Sequence, residues 1–240
     1  MPRFFSESCG DDYCVISGAD AVHISKSLRM QIGDKLTVCD KNSTEYYCEI
    51  SSIDSEKVEL SVLEKKPTES EPKTSAVLYM AVPKSDKMEF IVQKAVELGV
   101  SKIVPVLCAR CISRAEEKSM NKKIERYQKI AYEAAKQSGR GIIPEICERL
   151  TFKQALKDAD KCDVKMLFYE NGGNDISNVV NEKTKSVAMF IGCEGGFEPS
   201  EVELAKENGV FIATLGKRIL RCETAPVTAL SLVMYLTGNM

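Results

Sequence analysis

The stretch "VAMFIGCEGGFEPSEVELAKENG" (Val187–Gly209) sets the architecture of the longer part of the chain. Its first five residues are a continuous apolar run, the pattern of a strand covered on both faces. Three glycines then flank one glutamate (Gly192, Glu194, Gly195 and Gly196), and a helix-like segment opens at Pro199, which suits a first helical turn. Glu198 would be the N-cap, a position that glutamate fills poorly. A plain turn needs one or two glycines. Three leave bare backbone that a ligand can approach closely, unless they serve only a tight strand-to-helix connection.

The same alternation extends in both directions. "AVLYMAV" (76–82), "KIVPVL" (102–107), "KMLFY" (165–169) and "VFIATL" (210–215) read as further strands. Met88, Ile91, Val92, Ala95 and Val96 share one face of a helix that Ser85 can cap and Gly99 ends. A longer helix runs to about Ser138, with Met120, Ile124, Tyr127, Ala131 and Ala134 in register, and a last amphipathic helix covers about Thr224 to Leu236. Strand–helix alternation of this kind predicts an α/β domain with a mostly parallel sheet of about five strands. Residues 1–63 differ: "KLTVCD" (35–40), "YYCEISSI" (46–53) and "KVELSVL" (57–63) alternate with period two, as in a small barrel or sheet. The polar run "EKKPTESEPKTS" (64–75) reads as a linker, giving domains 1–72 and 73–240.

Charge follows the same division. The net charge is −2, but residues 1–72 hold 8 Lys/Arg against 14 Asp/Glu, and residues 73–240 hold 25 against 21. The ten cysteines are scattered, and only Cys108 and Cys111 form a CxxC. Zinc needs about four nitrogen or sulfur ligands; the sole histidine, His23, is remote, so no metal is expected. "MPRFFSESCG" shows no secretory pattern and no apolar run reaches the roughly 20 residues of a membrane span, which points to a cytoplasmic protein with reduced thiols and no membrane partner.

Three glycine-containing strand ends fall in the last third: "FYENGG" (168–173), "IGCEGG" (191–196) and "LGKRILRCETA" (215–225). Ligands of open α/β sheets sit beyond the carboxyl ends of strands, so one shared pocket is expected, its bare backbone suited to an adenine edge and a ribose. Neither GxGxxG nor GxxxxGK[ST] is present, which disfavours dehydrogenases and phosphate-cradling kinases. Arg218, Arg221 and Glu223 crowd the third strand end, as a site or as a salt-bridged surface loop. Lys84, Lys87, Arg110, Arg114 and Arg140 near element ends form a candidate phosphate-binding rim, against the alternative that each is merely solvated. His23 accompanies Lys26 and Arg29 in "HISKSLRM", a partly buried histidine or part of an RNA-facing helix.

"MPRFF" (1–5), "HISKSLRMQIGDKL" (23–36), "KSDKMEFIVQKAVELGVSKIVPV" (84–106), "EAAKQSGRGIIPEI" (133–146), "IGCEGGFEPSEVE" (191–203) and "LGKRILRCETAPVTAL" (215–230) together cover almost the whole chain. In these segments the sequence resembles the RsmE family, which methylates N3 of a uridine in 16S ribosomal RNA with S-adenosylmethionine. The resemblance implies a C-terminal SPOUT-type domain with a trefoil knot, a preceding small PUA-like β-barrel that binds RNA, and a homodimer acting on 16S ribosomal RNA or the small ribosomal subunit. Its cofactor loops fall on Tyr169 and Glu170, on Gly192, Cys193, Glu194, Gly195 and Gly196, and on Leu215, Gly216, Ile219, Leu220 and Arg221. The RNA-contacting candidates are Arg3, His23, Lys26, Arg29, Lys84, Lys87, Arg110 and Arg140. Arg221 is the candidate for holding the uracil, Glu223 for orienting it, and Glu194 for a base or a loop holder.

Two features depart from the family. Cys193 stands where the family has proline, which removes a fixed φ and adds a thiol beside the cofactor. The acidic N-terminal region requires that any RNA contact be a local basic patch. An RNA-binding protein without transferase activity, an α/β enzyme acting on a small nucleotide and a cysteine redox role remain as alternatives at this level.

Overall fold

The computed structural model describes residues 1–40, 42–54, 56–112 and 117–240. Arg114 lies outside them. The chain divides into two compact units, one of Met1–Glu71 with Ala135–Ile143 and one of Pro72–Ala134 with Pro144–Met240. The sequence pattern alone puts residues 135–143 with the second domain; the fold groups them with the first.

In the first unit, β1 (Arg3–Phe5), β2 (Ser8–Cys9), β3 (Tyr13–Ser17), β4 (Lys35–Cys39), β5 (Thr44–Ile53) and β6 (Lys57–Pro67) form a six-stranded sheet in the order β1-β4-β5-β6-β3-β2. The β1–β4 pair is parallel and the others are antiparallel. Period-two alternation does the sorting: Tyr46, Cys48 and Ile50 of β5, and Val58 and Leu60 of β6, point into a core shared with Phe4, Ile16, Leu36 and Val38. The helix α1 (Ala19–Val22) continues into a π-helical segment (His23–Ser27), and Ala21 and Ile24 plug the same core.

The expected linker is shorter than its composition suggested. Strand β6 continues through Pro67, with Glu64, Lys65 and Lys66 paired opposite Tyr47, Tyr46 and Glu45. Backbone pairing to a long β5 needs no apolar side chains. Glu71, further along, is held by Arg140: Nη2 donates to Oε2 at 2.7 Å and Nε to Oε1 at 3.0 Å, and Gly141 N–H donates to Oε1 at 2.8 Å. Arg140 is thus a buried structural cation, only 4% exposed, and not part of a solvent-facing rim.

In the second unit, β7 (Ser75–Ala81), β8 (Lys102–Leu107), β9 (Glu145–Ile146), β10 (Leu150–Thr151), β11 (Val164–Phe168), β12 (Ser186–Ile191) and β13 (Phe211–Ala213) form a wholly parallel sheet. Its order is β10-β8-β7-β12-β11-β13, with β9 on β8. The two strands beyond the expected five, β9 and β10, have two residues each, too few for a periodic signal. The helices are α2 (Lys87–Glu97), α3 (Glu117–Ser138, of which the residues from Ala135 on belong to the first unit), α4 (Phe152–Asp158), α5 (Pro199–Glu207) and α6 (Thr224–Leu236). Among the described residues no helix is long and apolar enough to cross a membrane. Tyr79 stacks on Phe190 with centroids 4.6 Å apart, and Phe152 packs between Phe190 and Phe197. Ser85 does not cap α2; it sits at φ 55°, and Asp86 is the N-cap residue.

The Glu71–Arg140 pair gives a stability prediction. Burial acts to raise the Glu71 carboxyl, but Arg140 and the Gly141 and Ile142 amides outweigh it and hold it below its usual 4.5. A depressed carboxyl stabilises fully above the unfolded value and loses that contribution as pH falls through the folded value. Urea unfolding should show Glu71→Gln less stable by about 3 kcal/mol at neutral pH. The gap to wild type should narrow below pH 4.5.

Candidate active site

The sheet order puts β12, β11 and β13 side by side, all pointing the same way. Their carboxyl ends therefore open on one place, a cavity of about 360 Å³, within the roughly 300–1,000 Å³ of small-molecule sites. It is lined by Tyr169 and Glu170 after β11, by Gly192, Cys193, Glu194 and Gly196 after β12, and by Leu215, Gly216, Ile219, Leu220 and Arg221 after β13. Every cofactor-loop candidate thus meets here except Gly195, which lies just outside the lining and packs against Arg110. Phe168, Ile191, Arg218, Cys222 and Ala225 line it too, all within the three quoted strand ends though none is named as a cofactor contact; sequence reasoning missed Thr214, just after β13, and did not place Lys87 in the wall.

The glycine turn is compact for an internal reason. Gly196 has φ +66°, and a Cβ there would strike the Glu170 carboxylate; one on Gly192 would lie 2.9 Å from Gly196 Cα. The loop folds back on itself, with Gly196 N–H donating to the Cys193 carbonyl at 2.9 Å. The tight turn is observed, and Gly192 and Gly196 of the same backbone line the cavity. Phe197, 1% exposed, anchors the exit of the turn in the aromatic core.

Arg110 braces this loop instead of standing free at a rim. Its Nε donates to Glu198 Oε1 at 2.8 Å and its Nη1 to the Gly195 carbonyl at 2.8 Å. Glu198 is the N-cap residue of α5, and its occupation by Arg110 explains a glutamate in that place. Glu201 completes the joint, accepting from Glu198 N–H at 3.0 Å and from Ala109 N–H at 2.8 Å.

Lys87 is likewise not a free cation. Its Nζ lies 3.1 Å from Glu194 Oε1 and 3.2 Å from Glu223 Oε2. Glu194 also accepts the Lys84 N–H at 3.2 Å, while the Lys84 side chain is exposed. Burial acts to raise the Glu194 carboxyl, but backbone N–H groups and Lys87 outweigh it and hold it below the usual range. Glu223 is also lowered, by its own backbone N–H first and by Cys222 and Lys87. Arg221 is exposed at the mouth, and neighbouring Ile219 is 84% exposed.

A family model described as an RNA methyltransferase domain matches residues 69–234, and one described as an RNA methyltransferase PUA domain matches residues 16–63. The chain is 36% identical over 232 residues to ribosomal RNA small subunit methyltransferase E of Bacillus subtilis (strain 168), covering 92% of this chain and 90% of that one. The chain belongs to the ribosomal RNA small subunit methyltransferase E family. Its counterpart from Mesomycoplasma hyopneumoniae (strain 232) is 32% identical, with 96% and 98% of the two chains covered. A crystal structure of the methyltransferase E from Neisseria gonorrhoeae bound to S-adenosyl methionine superposes with a TM-score of 0.88 at 29% identity, covering 98% of each chain. The first unit is accordingly PUA-like, and the parallel-sheet unit is an RNA methyltransferase domain.

In this methyltransferase E chain the thiol at position 193 is packed, not dangling. Cys193 is 6% exposed and donates to the Arg110 carbonyl at 3.4 Å. Contact with the Cys111 thiol, then burial, push its pKa up, so it is a poor thiolate. All ten cysteines are free thiols, and no described group of three or more His, Cys, Asp or Glu side chains is arranged to hold a metal ion.

The glycine turn can be probed directly. Gly196→Ala places a side chain at a left-handed φ and against Glu170, and should cost about 1–2 kcal/mol, a fall in melting temperature of about 3–6 °C by calorimetry.

Proposed function

We propose that this chain transfers a methyl group from S-adenosylmethionine to N3 of a uridine in 16S ribosomal RNA. The observation that carries the reading is the convergence of three bare strand ends on one cavity whose wall also holds Lys87, Glu194, Arg218 and Arg221. The residues present fit the cofactor. Phe168, Ile191, Leu215 and Leu220 offer apolar surface for an adenine, exposed backbone of the glycine turn offers hydrogen bonds, and carboxylates suit ribose hydroxyls and a cationic sulfonium. When bound, S-adenosylmethionine supplies an electrophilic methyl group, leaving the protein to position and to manage charge.

Uridine N3 is an imide nitrogen and must lose its proton to become a nucleophile. In a base pair it is hidden, so the target is unpaired or turned out of its stack. Arg221, an exposed residue of the cavity lining, is assigned to hold the uracil and stabilise the imide charge. Glu194 and Glu223 have lowered carboxyl pKa values and share one ammonium. They are poor proton acceptors, so Glu194 is assigned to holding the loop and Glu223 to orienting the arginine side of the site.

RNA is assigned to the exposed side chains of His23, Lys26 and Arg29, which follow one another along the π-helical segment and its exit, and to Lys84. Arg3 is a weaker candidate, because it is bound to Glu45 at 2.9 Å. Residues 1–72 are assigned as the RNA-binding domain and 73–240 as the catalytic domain, apart from residues 135–143, which fold with the first unit. A trefoil knot is assigned to the segment after β13; α6 packing back on β7 and β12 supports it. A homodimer in the cytoplasm completes the reading.

The test is transfer of labelled methyl to small ribosomal subunits that lack the modification, with the product nucleoside mapped. N3-methyluridine at one position is expected; saturable transfer to a free nucleotide, or binding of cofactor and RNA without transfer, would overturn the reading. Arg221→Ala should keep its circular dichroism spectrum and lose about 10²–10³-fold in kcat.

A further inference from the structure

Lys87 occupies a place that helix energetics disfavour. It is the first residue of α2, where the helix dipole and the free N–H groups repel a cation. The backbone leading to it is also strained, with Ser85 at φ 55°. That turn brings two donors onto one carboxylate: the Lys84 N–H at 3.2 Å and the Lys87 Nζ at 3.1 Å both reach Glu194 Oε1. From the opposite side Glu223, one residue before α6, reaches the same ammonium at 3.2 Å, and the Cys222 thiol lies 3.6 Å away. Side-chain exposures of 34%, 27% and 21% for Lys87, Glu194 and Glu223 leave each group in part contact with water.

We propose that Lys87 is a positioning residue of the cofactor cavity: its ammonium ties the glycine turn, through Glu194, to the start of α6, through Glu223. The inference rests on the cofactor reading given above and adds a residue to it. The three segments are far apart in sequence, and the cavity wall is made from all of them. Remove the ammonium and the two carboxylates lose their shared cation, with the Cys222 thiol donating to Glu223 Oε2 at 3.3 Å; Glu170, Arg218 and Arg221 are the remaining charged groups on the wall. Like charges at such range raise one carboxyl pKa and push the two apart. The wall should then open at neutral pH and close again as one carboxylate takes up a proton.

Titration calorimetry with S-adenosylmethionine tests this on the full chain from pH 5.5 to 8, for wild type, Lys87→Arg, Lys87→Met and Lys87→Met/Glu223→Gln. Wild type and Lys87→Arg should bind with little pH dependence. Lys87→Met should bind about tenfold more weakly at pH 8, one pK unit of interaction, and regain about twofold of that loss at pH 5.5, where a carboxyl raised by one unit is only partly protonated. The double variant, with one carboxylate charge gone, should lose the pH dependence. Melting temperatures across the same pH range read the cluster without ligand: that of Lys87→Met should approach wild type as pH falls. If Lys87→Met does not fold at pH 8, the same recovery is sought by folding it at pH 5.5 and in the double variant. Unchanged binding, or a loss that is the same at every pH, overturns the proposal. So does a weaker, less salt-dependent affinity for ribosomal RNA with cofactor binding intact, which would make Lys87 a phosphate contact. Absence of cofactor binding by wild type would instead sink the transferase reading, while the melting curves would still decide whether Lys87 holds the two carboxylates.

Discussion

Everything about the site depends on the order of strands in the parallel sheet. Because β11 lies between β12 and β13, three connections leave the same edge within a few strand spacings of one another. Each must turn sharply or collide with its neighbour. The turn after β12 manages this by folding Gly196 onto Gly192 and against Glu170, which only bare backbone permits. The cavity is the space left between these three turns. A parallel sheet also buries both faces of its strands, and β12 and β7 carry continuous apolar runs for that reason.

Charge in this region is organised by pairing. Of the five basic residues read as a rim, Lys87 holds two carboxylates, Arg110 holds Glu198 and the Gly195 carbonyl, and Arg140 is buried against Glu71, both within the first unit. Lys84 alone keeps an exposed side chain among the described members, and Arg114 is outside them. Cations near glycine loops here are mostly structural, satisfying carboxylates that close the ends of elements. The lowered carboxyl pKa values of Glu194, Glu198 and Glu223 are the other side of the same arrangement. A site built in this way is pre-set electrostatically but has no free general base among those carboxylates.

Much of the architecture was legible in the sequence. The strand at 187–191, the helix at 199–207 and the final helix follow from apolar runs, Pro199 and helical spacing, because both faces of a parallel strand and one face of a helix must be buried. The three cavity loops were legible as glycine-bearing strand ends. What the sequence could not give was partnership. Whether Lys87 meets solvent, RNA or Glu223 depends on a contact between residues 87 and 223, and periodicity is silent on such distances. The same holds for Arg140 and Glu71, and for Thr44 opposite Pro67, which turned part of a polar linker into strand. Local sequence determined which segments are strands, helices and bare turns, since those depend on each residue's own backbone and burial preference. Only the tertiary structure decided which charges are spent on one another, because ion pairing is set by distances in space that the folded sheet alone creates.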